Sequence, residues 1–577
     1  MISVQLCPKL KVLEYSNHTR IFQNKNVPEI IKLILEKNQL FNDSYKFLLN
    51  DQYSSREYCV QYCESDLDFI KRLCCEEGIY YFFKQEKNKE IIIFGDNTSA
   101  YIDSVPEKEV LYHPITGTLK KNDEFLYQVT QSSKVYTGMH MLNAYDYNLP
   151  NKSLLSRSLS YKFSNNEYYK HIGGYKESAE GENLAKKNRE SCESQEIILS
   201  GKGNFRCISP GHKININSDS KRQFPSCVVK SAIHKAFIKT ESSDNKKSDG
   251  LIYNVSFDST LVEKIIRPVH VIPKPRISVQ TAVVVGPGNE EIYTDKLGRV
   301  KVQFHWDLEG TNNENSSCWV RVNQQWAGSG FGFYFIPRIG HEVIVDFIQG
   351  DPDLPIIIGS VYNGTNTPPY TDTNKTISAL KTNSTPGGNG KNAIILEDKK
   401  NQELFLILAQ KDMKTNVNNN KITNVGSLYD ISCGNMKVNV KENVDFEAGG
   451  NVNTIINKNN KTVIEEMNDL TINKENTINM KDNELIIDGD NTIEITGENE
   501  VKITEKHKLT AKKIEYEVEE EMIIKCGSSY ISIKEDIIEI FAEDMNIKGD
   551  QVSIKGDKIS SKASDVHRIK GSLVKIC

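Results

Sequence analysis

The sequence predicts a mainly β chain with a minor α+β part, and three observations carry that prediction. Between Thr281 and Tyr370, short strand-like runs are separated by turn residues, with no helical stretch. From Lys391 to Cys577 there is neither proline nor tryptophan, and short runs alternate with period two. Helical spacing is confined to a few segments within residues 1–275.

The first predicted helix covers Glu29 to Glu36, where Ile30, Ile31, Leu33, Ile34 and Leu35 have helical spacing and Pro28 suits the first turn. A second runs from about Ser65 to Glu77. Ser65 is its cap, Asp68 an acidic first-turn group and Gly78 its stop, with Leu67, Ile70, Leu73 and Cys74 on one face. A third, short one spans Leu184 to Glu190. Prolines 268, 273 and 275 mark a boundary.

From Arg299 to Asp307 the apolar residues are Val300, Val302, Phe304 and Trp306, the period of a half-buried strand entered by a turn at Asp295–Gly298. Val343, Val345 and Phe347 repeat the pattern, and Gly350-Asp351-Pro352-Asp353 turns the chain into the apolar run Pro355 to Val361. Such strands fit a small closed barrel of the oligonucleotide/oligosaccharide-binding (OB) type, with the tryptophans filling its core. Gly328-Ser329-Gly330-Phe331-Gly332 lacks the Lys-Ser/Thr of a phosphate loop and reads as a tight loop. His341-Glu342 starts like a zinc-protease helix, but Val345 stands where the second histidine belongs.

Residues 371–390, rich in Thr, Asn, Ser and Gly, read as a linker. Beyond it, Lys513 to Glu519 alternates strictly, Gly489, Gly497, Gly527, Gly549 and Gly556 punctuate the runs, and Ile547-Lys548-Gly549-Asp550 returns as Ile554-Lys555-Gly556-Asp557. Short repeated strands with one narrow apolar edge each cannot enclose a core alone. Three intertwined copies can, and they also pair every strand edge, so a trimeric β-helical rod is expected.

The 577 residues carry a formal net charge of −5, and nothing resembles the basic face of a nucleic-acid binder. Met1 to Lys11 lacks a signal-peptide core, and no apolar run reaches the ~20 residues of a bilayer span, so folding in the cytoplasm and export without a signal peptide are expected. Cys59, Cys63, Cys74 and Cys75 have no C-x-x-C spacing and read as reduced core thiols, and Cys577 as a free thiol. Glu76 and Glu77 are adjacent, about 100° apart on a helix, and cannot flank one bond. They read as solvated helix-end carboxylates. Catalytic residues, cofactor and metal are all expected to be absent.

The barrel strings Thr281 to Pro287, Glu290 to Asp295, Gly298 to Asp307, Ser316 to Val322, Gln325 to Gly328 and Phe335 to Gly340, continuing to Asp353, resemble the VgrG family. So does Arg56 to Phe69 continuing to Phe83, although Cys63, Cys74 and Cys75 depart from the family's usual residues, and so do Glu397 to Lys400, Ala409 to Met413 and Asn424 to Gly426. VgrG proteins are the trimeric spikes of type VI secretion systems, similar to the hub and spike of contractile phage tails. The resemblance implies a phage-hub-like domain at 1–275 with β-barrel subdomains, an OB-fold barrel at 276–370 and a triple-stranded β-helix needle at 391–577. It also implies an Hcp-like tube protein, baseplate proteins, effectors and a PAAR-type tip protein as partners, with transient contact to a target membrane. A linker of about twenty residues leaves no room for a lysozyme domain. No toxin extension is expected after the needle, and its apolar end Gly571 to Cys577 calls for a cover. His567 stands alone beside Arg568, without the His-x-His of metal-tipped spikes. The expected function is mechanical: a spike that punctures membranes and is secreted or injected with its cargo. The alternatives are a phage-derived hub-spike, a cell-wall hydrolase and a glycan-binding adhesin.

Overall fold

The computed structural model describes residues 4–103, 110–114, 124–171, 174–218, 223–239, 250–269, 273–566 and 568–574, so His567 and Cys577 lie outside the described residues. The chain divides into two compact units between Leu428 and Tyr429.

In the first unit, helix α1 (Val27–Lys37) starts where Asn26 and Glu29 cap each other's backbone, and it buries Val27, Ile30, Ile31, Ile34 and Leu35. Helix α2 (Asp66–Glu77) starts with the Ser65 side chain accepting from Asp68 N at 3.0 Å and stops at left-handed Gly78, φ 68°. It buries Leu67, Ile70, Leu73 and Cys74 as predicted, with Phe69 and Arg72 beside them. The two helices share one core with Leu10, Leu13, Ile79 and Phe94.

Helix α3 (Ser178–Glu193) is longer than the predicted Leu184 to Glu190. Gly181 hid its start, because a glycine reads as a breaker. Here it is a packing requirement: a Cβ at 181 would sit 2.3 Å from Ser156 Oγ and 2.5 Å from Tyr175 Cε2. The helix covers a three-stranded sheet of Glu167–His171, Met139–Asn143 and Ser156–Leu159. A seven-stranded sheet, centred on the antiparallel partners Ile197–Gly203 and Gly250–Leu261, forms its own core with Leu126, Leu199, Val229 and Phe257.

The barrel sheet runs in the order Lys301–Phe304, Gln280–Val285, Glu342–Phe347, Pro355–Val361, Arg321–Val322. Its core holds Ala282, Val284, Val300, Val302, Phe304, Val320, Val343 and Val345, so the two predicted alternations point inward as expected. Trp306 stacks on Phe304 at 4.9 Å and Trp319 tilts against Tyr293 at 5.0 Å. Trp326 does not fill the core: it is 60% exposed beside the hairpin Ala327–Gly328/Phe331–Gly332. Gly332, φ 136°, keeps that hairpin tight, since a Cβ would meet Trp326 O at 2.2 Å.

The stretch read as a linker contains the strand Ile377–Lys381, which pairs with Ala393–Glu397, itself paired with Leu404–Leu408. The loop between them is pinned to the barrel. Glu291 accepts from Thr385 Oγ1 and Gly387 N, and Arg338 donates to Asn383 O. Composition suggested coil there because long-range pairing, which composition does not report, supplies the order.

In the second unit the chain from Tyr429 to Glu520 is extended, without a strand partner of its own among the described residues. Bends recur at 449–450, 457–458, 465–466, 473–474 and 481–482, eight residues apart. One three-stranded meander follows: Glu521–Cys526, Ser529–Lys534 and Ile538–Phe541.

Candidate functional site

Two features of the fold could do mechanical work: a charged junction between the α2 region and the barrel, and an apolar seam along the extended chain.

The junction grows from the strand Cys59–Ser65, which leads directly into α2. Tyr58 and Val60 enter the barrel core, and Val60 N donates to Asp353 Oδ1 at 2.7 Å. Buried Arg72 donates to Glu64 at 2.6 Å, to Glu76 at 2.9 Å and to Val60 O at 3.1 Å. Arg56 reaches both Glu76 and Glu77 at 2.7 Å. Lys274 bridges Asp351 and Asp353 at 2.5 Å each. Gln23 donates to Asn315 O at 2.6 Å, adding a second tie from the helical side to the barrel.

Glu76 and Glu77 are therefore not the solvated carboxylates expected at a helix end. Helix geometry placed them correctly, but Arg56 arrives from a loop that local sequence does not connect to them. Burial alone would raise the Glu76 carboxyl, yet Arg72, Arg56 and Lys274 hold it well below the usual carboxylate range. Burial opposes the charge on Lys274, and Asp353 and Asp351 more than restore it. With both glutamates occupied by guanidinium groups, neither is placed as a free acid or base.

The cysteines divide. Burial pushes the Cys59 thiol up to about 12 and raises Cys74 well above the ordinary range, so these are unreactive core thiols. Cys75 is half-buried and pushed up to about 11, chiefly by burial. Cys63 departs from the core reading: it is exposed, with φ 48°, at the irregularity where its strand pairs with Asn17–Phe22. His341 stands just before the strand Glu342–Phe347, not on a helix, and accepts from Arg338 N at 3.3 Å through Nδ1.

The seam is made of the residues just before the bends. Ile464, Ile472, Ile487, Ile495 and Ile503 each stand immediately before a bend, 43–50% exposed, and Leu470, Leu485, Ile493 and Val501 two positions earlier are 68–74% exposed. No soluble chain leaves so long an aliphatic line against water, so it must meet other chains.

Residues 2–236 match the phage tail baseplate hub (GPD) family. Residues 280–362 match the type VI secretion system/phage-baseplate injector OB domain, and 378–495 the bacteriophage T4 gp5 C-terminal trimerisation domain. In that order, the three define a hub and spike fused in one polypeptide, of the contractile-tail type. The chain belongs to the VgrG family of type VI secretion spike proteins. It is 37% identical over 434 residues to the spike protein VgrG1b of Pseudomonas aeruginosa, covering 73% of this chain and 58% of that protein. Against VgrG1a of the same organism it is 37% identical over 426 residues, covering 72% and 65%. The chain thus spans about three fifths of these relatives' length. A solved E. coli component of the type VI secretion system, described as similar to T4 tail proteins, is 21% identical with a TM-score of 0.41, covering 61% of this chain and 76% of that one.

Proposed function

We propose that the protein is the homotrimeric spike at the tip of a type VI secretion tube, acting mechanically and without catalysis of its own. The observation that carries this reading is the unpartnered aliphatic seam within the region matching a trimerisation domain. Three copies would bury it on a common axis and pair strand edges that have no partner within one chain. Residues 1–275 form the hub on an Hcp-like tube ring and 276–370 the collar, while the needle begins at Ile377 rather than after the stretch 371–390. A PAAR-type tip protein covers the far end, and effectors travel on the assembly. The trimer assembles with tube and baseplate proteins in the cytoplasm and crosses into the target when the sheath contracts. Among the described residues no helix is long and apolar enough to cross a membrane.

The test is genetic. Removing this chain from its host should stop release of the tube protein into the medium, and the intact gene should restore it. Unchanged release from a host with no second such spike would refute the proposal.

A further inference from the structure

Among the described residues of its unit, the meander Glu521–Phe541 is where the chain pairs with itself. Its register sorts the side chains cleanly. Met522, Ile524, Ile531, Ile533, Ile538 and Ile540 share one face, since Met522 opposes Ile533, Ile524 opposes Ile531, and Ile538 and Ile540 continue the rows. Ile524 is 53%, Ile538 66% and Ile540 52% exposed. The other face, Ile523 apart, is polar or aromatic. Ser532 Oγ donates to Glu521, Lys534 lies 3.3 Å from the same carboxylate, and Tyr530 stacks on Phe541 at 5.6 Å.

We propose that this meander is a register lock, in which three copies turn their apolar faces inward around one axis and hold the three chains in step. The inference rests on the trimeric reading above. The occupants are two further copies of this chain, because the preceding region matches a trimerisation domain up to residue 495 and the extended seam runs from there without a break into the meander. A three-stranded sheet with one bare apolar face leaves Ile524, Ile538 and Ile540 against water until that face is covered. The central strand already has both edges paired and can meet neighbours only by its face, while the outer strands Glu521–Cys526 and Ile538–Phe541 each keep one open edge.

The need for a lock follows from the repeats on either side. Bends recur every seven or eight residues on both sides, at 473–474, 481–482, 488–489, 496–497 and 504–505 upstream and at 543–544, 550–551, 557 and 564–565 downstream. Within a regular repeat a chain can slip by one period and lose little, because isoleucine again meets isoleucine. The meander occurs once. A slipped chain would take its meander out of line with those of its neighbours and set the broad apolar face against the narrower seam of the extended repeats.

The test is hydrogen exchange on the full-length protein, with its solution mass measured alongside. In the native protein the amides of 521–541 should exchange as slowly as those of 449–482. Ile531→Asp with Ile540→Asp should speed exchange at 521–541 by at least about 100-fold, while 449–482 stays protected and the mass stays trimeric. Glu539→Gln on the outer face should change neither. After unfolding and refolding, the double variant should give a broadened ion-mobility distribution from staggered chains where the native protein gives one narrow species. Fast exchange at 521–541 in a native trimer would overturn the lock while leaving the spike, as would a single narrow species from the refolded variant. A monomeric native chain would instead remove the spike reading itself.

Discussion

Glu76 accepts from two guanidinium groups, that of Arg56 and that of fully buried Arg72, which also holds buried Glu64. Removing one partner of such a buried pair leaves the other charge uncompensated and costs about 3–5 kcal/mol. Arg72→Met, which strands both Glu64 and Glu76, should therefore lower the stability of the first unit by about that amount, seen as earlier melting and faster amide exchange in α2. The pH dependence has a definite sign. Glu76 has a folded pKa below its unfolded value near 4.5, so its contribution is fully present above that pH and is lost as pH falls through the lower, folded value. Melting temperature should drop as pH is taken below about 4.5, and Glu76→Gln should flatten that limb. An equally steep acid limb in Glu76→Gln would show that other carboxylates control it. None of this was legible locally: the sequence placed Glu76 and Glu77 on a helix end, but only the fold brings Arg56 and Lys274 to them.

The elements that sequence placed well are those whose start and stop are written in side chains. Ser65 and Gly78 bracket α2, and Asn26 with Glu29 brackets the start of α1. Ser65→Ala should cost about 1 kcal/mol, measured as a shift in the denaturant midpoint. Helix α3 was half-read because Gly181 answers to tertiary crowding rather than to helix propensity. Gly181→Ala tests that directly. Propensity alone would make it stabilising, whereas the contact at 2.3 Å to Ser156 Oγ predicts a loss of about 1–3 kcal/mol. The strand Ile377–Lys381 was hidden for a related reason, as its partner Ala393–Glu397 lies beyond a glycine-rich loop. Trp326 shows the limit of reading burial from residue type: Trp306 packs on the barrel core as predicted, Trp319 tilts against Tyr293 outside that core, and Trp326 stands exposed on a hairpin.

For the whole molecule, the barrel and the alternating rod were legible because period-two patterning survives in short stretches, and the return of residues 547–550 as 554–557 already showed a seven-residue repeat, whereas the regular bends through 449–482 needed coordinates. A repeating seam is quasi-one-dimensional, so its damage should stay local. Fully burying one isoleucine is worth roughly 1.5–3 kcal/mol, and dozens line the rod, so one substitution cannot separate the chains. Ile495→Asp should leave the oligomer intact while raising amide exchange near 487–503. Loss of the whole assembly from that single change would mean the seam is not shared evenly. The central claim, that the aliphatic line is covered by two further copies of the chain, is tested most directly by solution mass from light scattering on the full-length protein and on a chain ending near Thr371. A full-length mass three times 65.4 kDa, with the shortened chain monomeric, is the predicted result. A monomeric full-length chain would contradict the account.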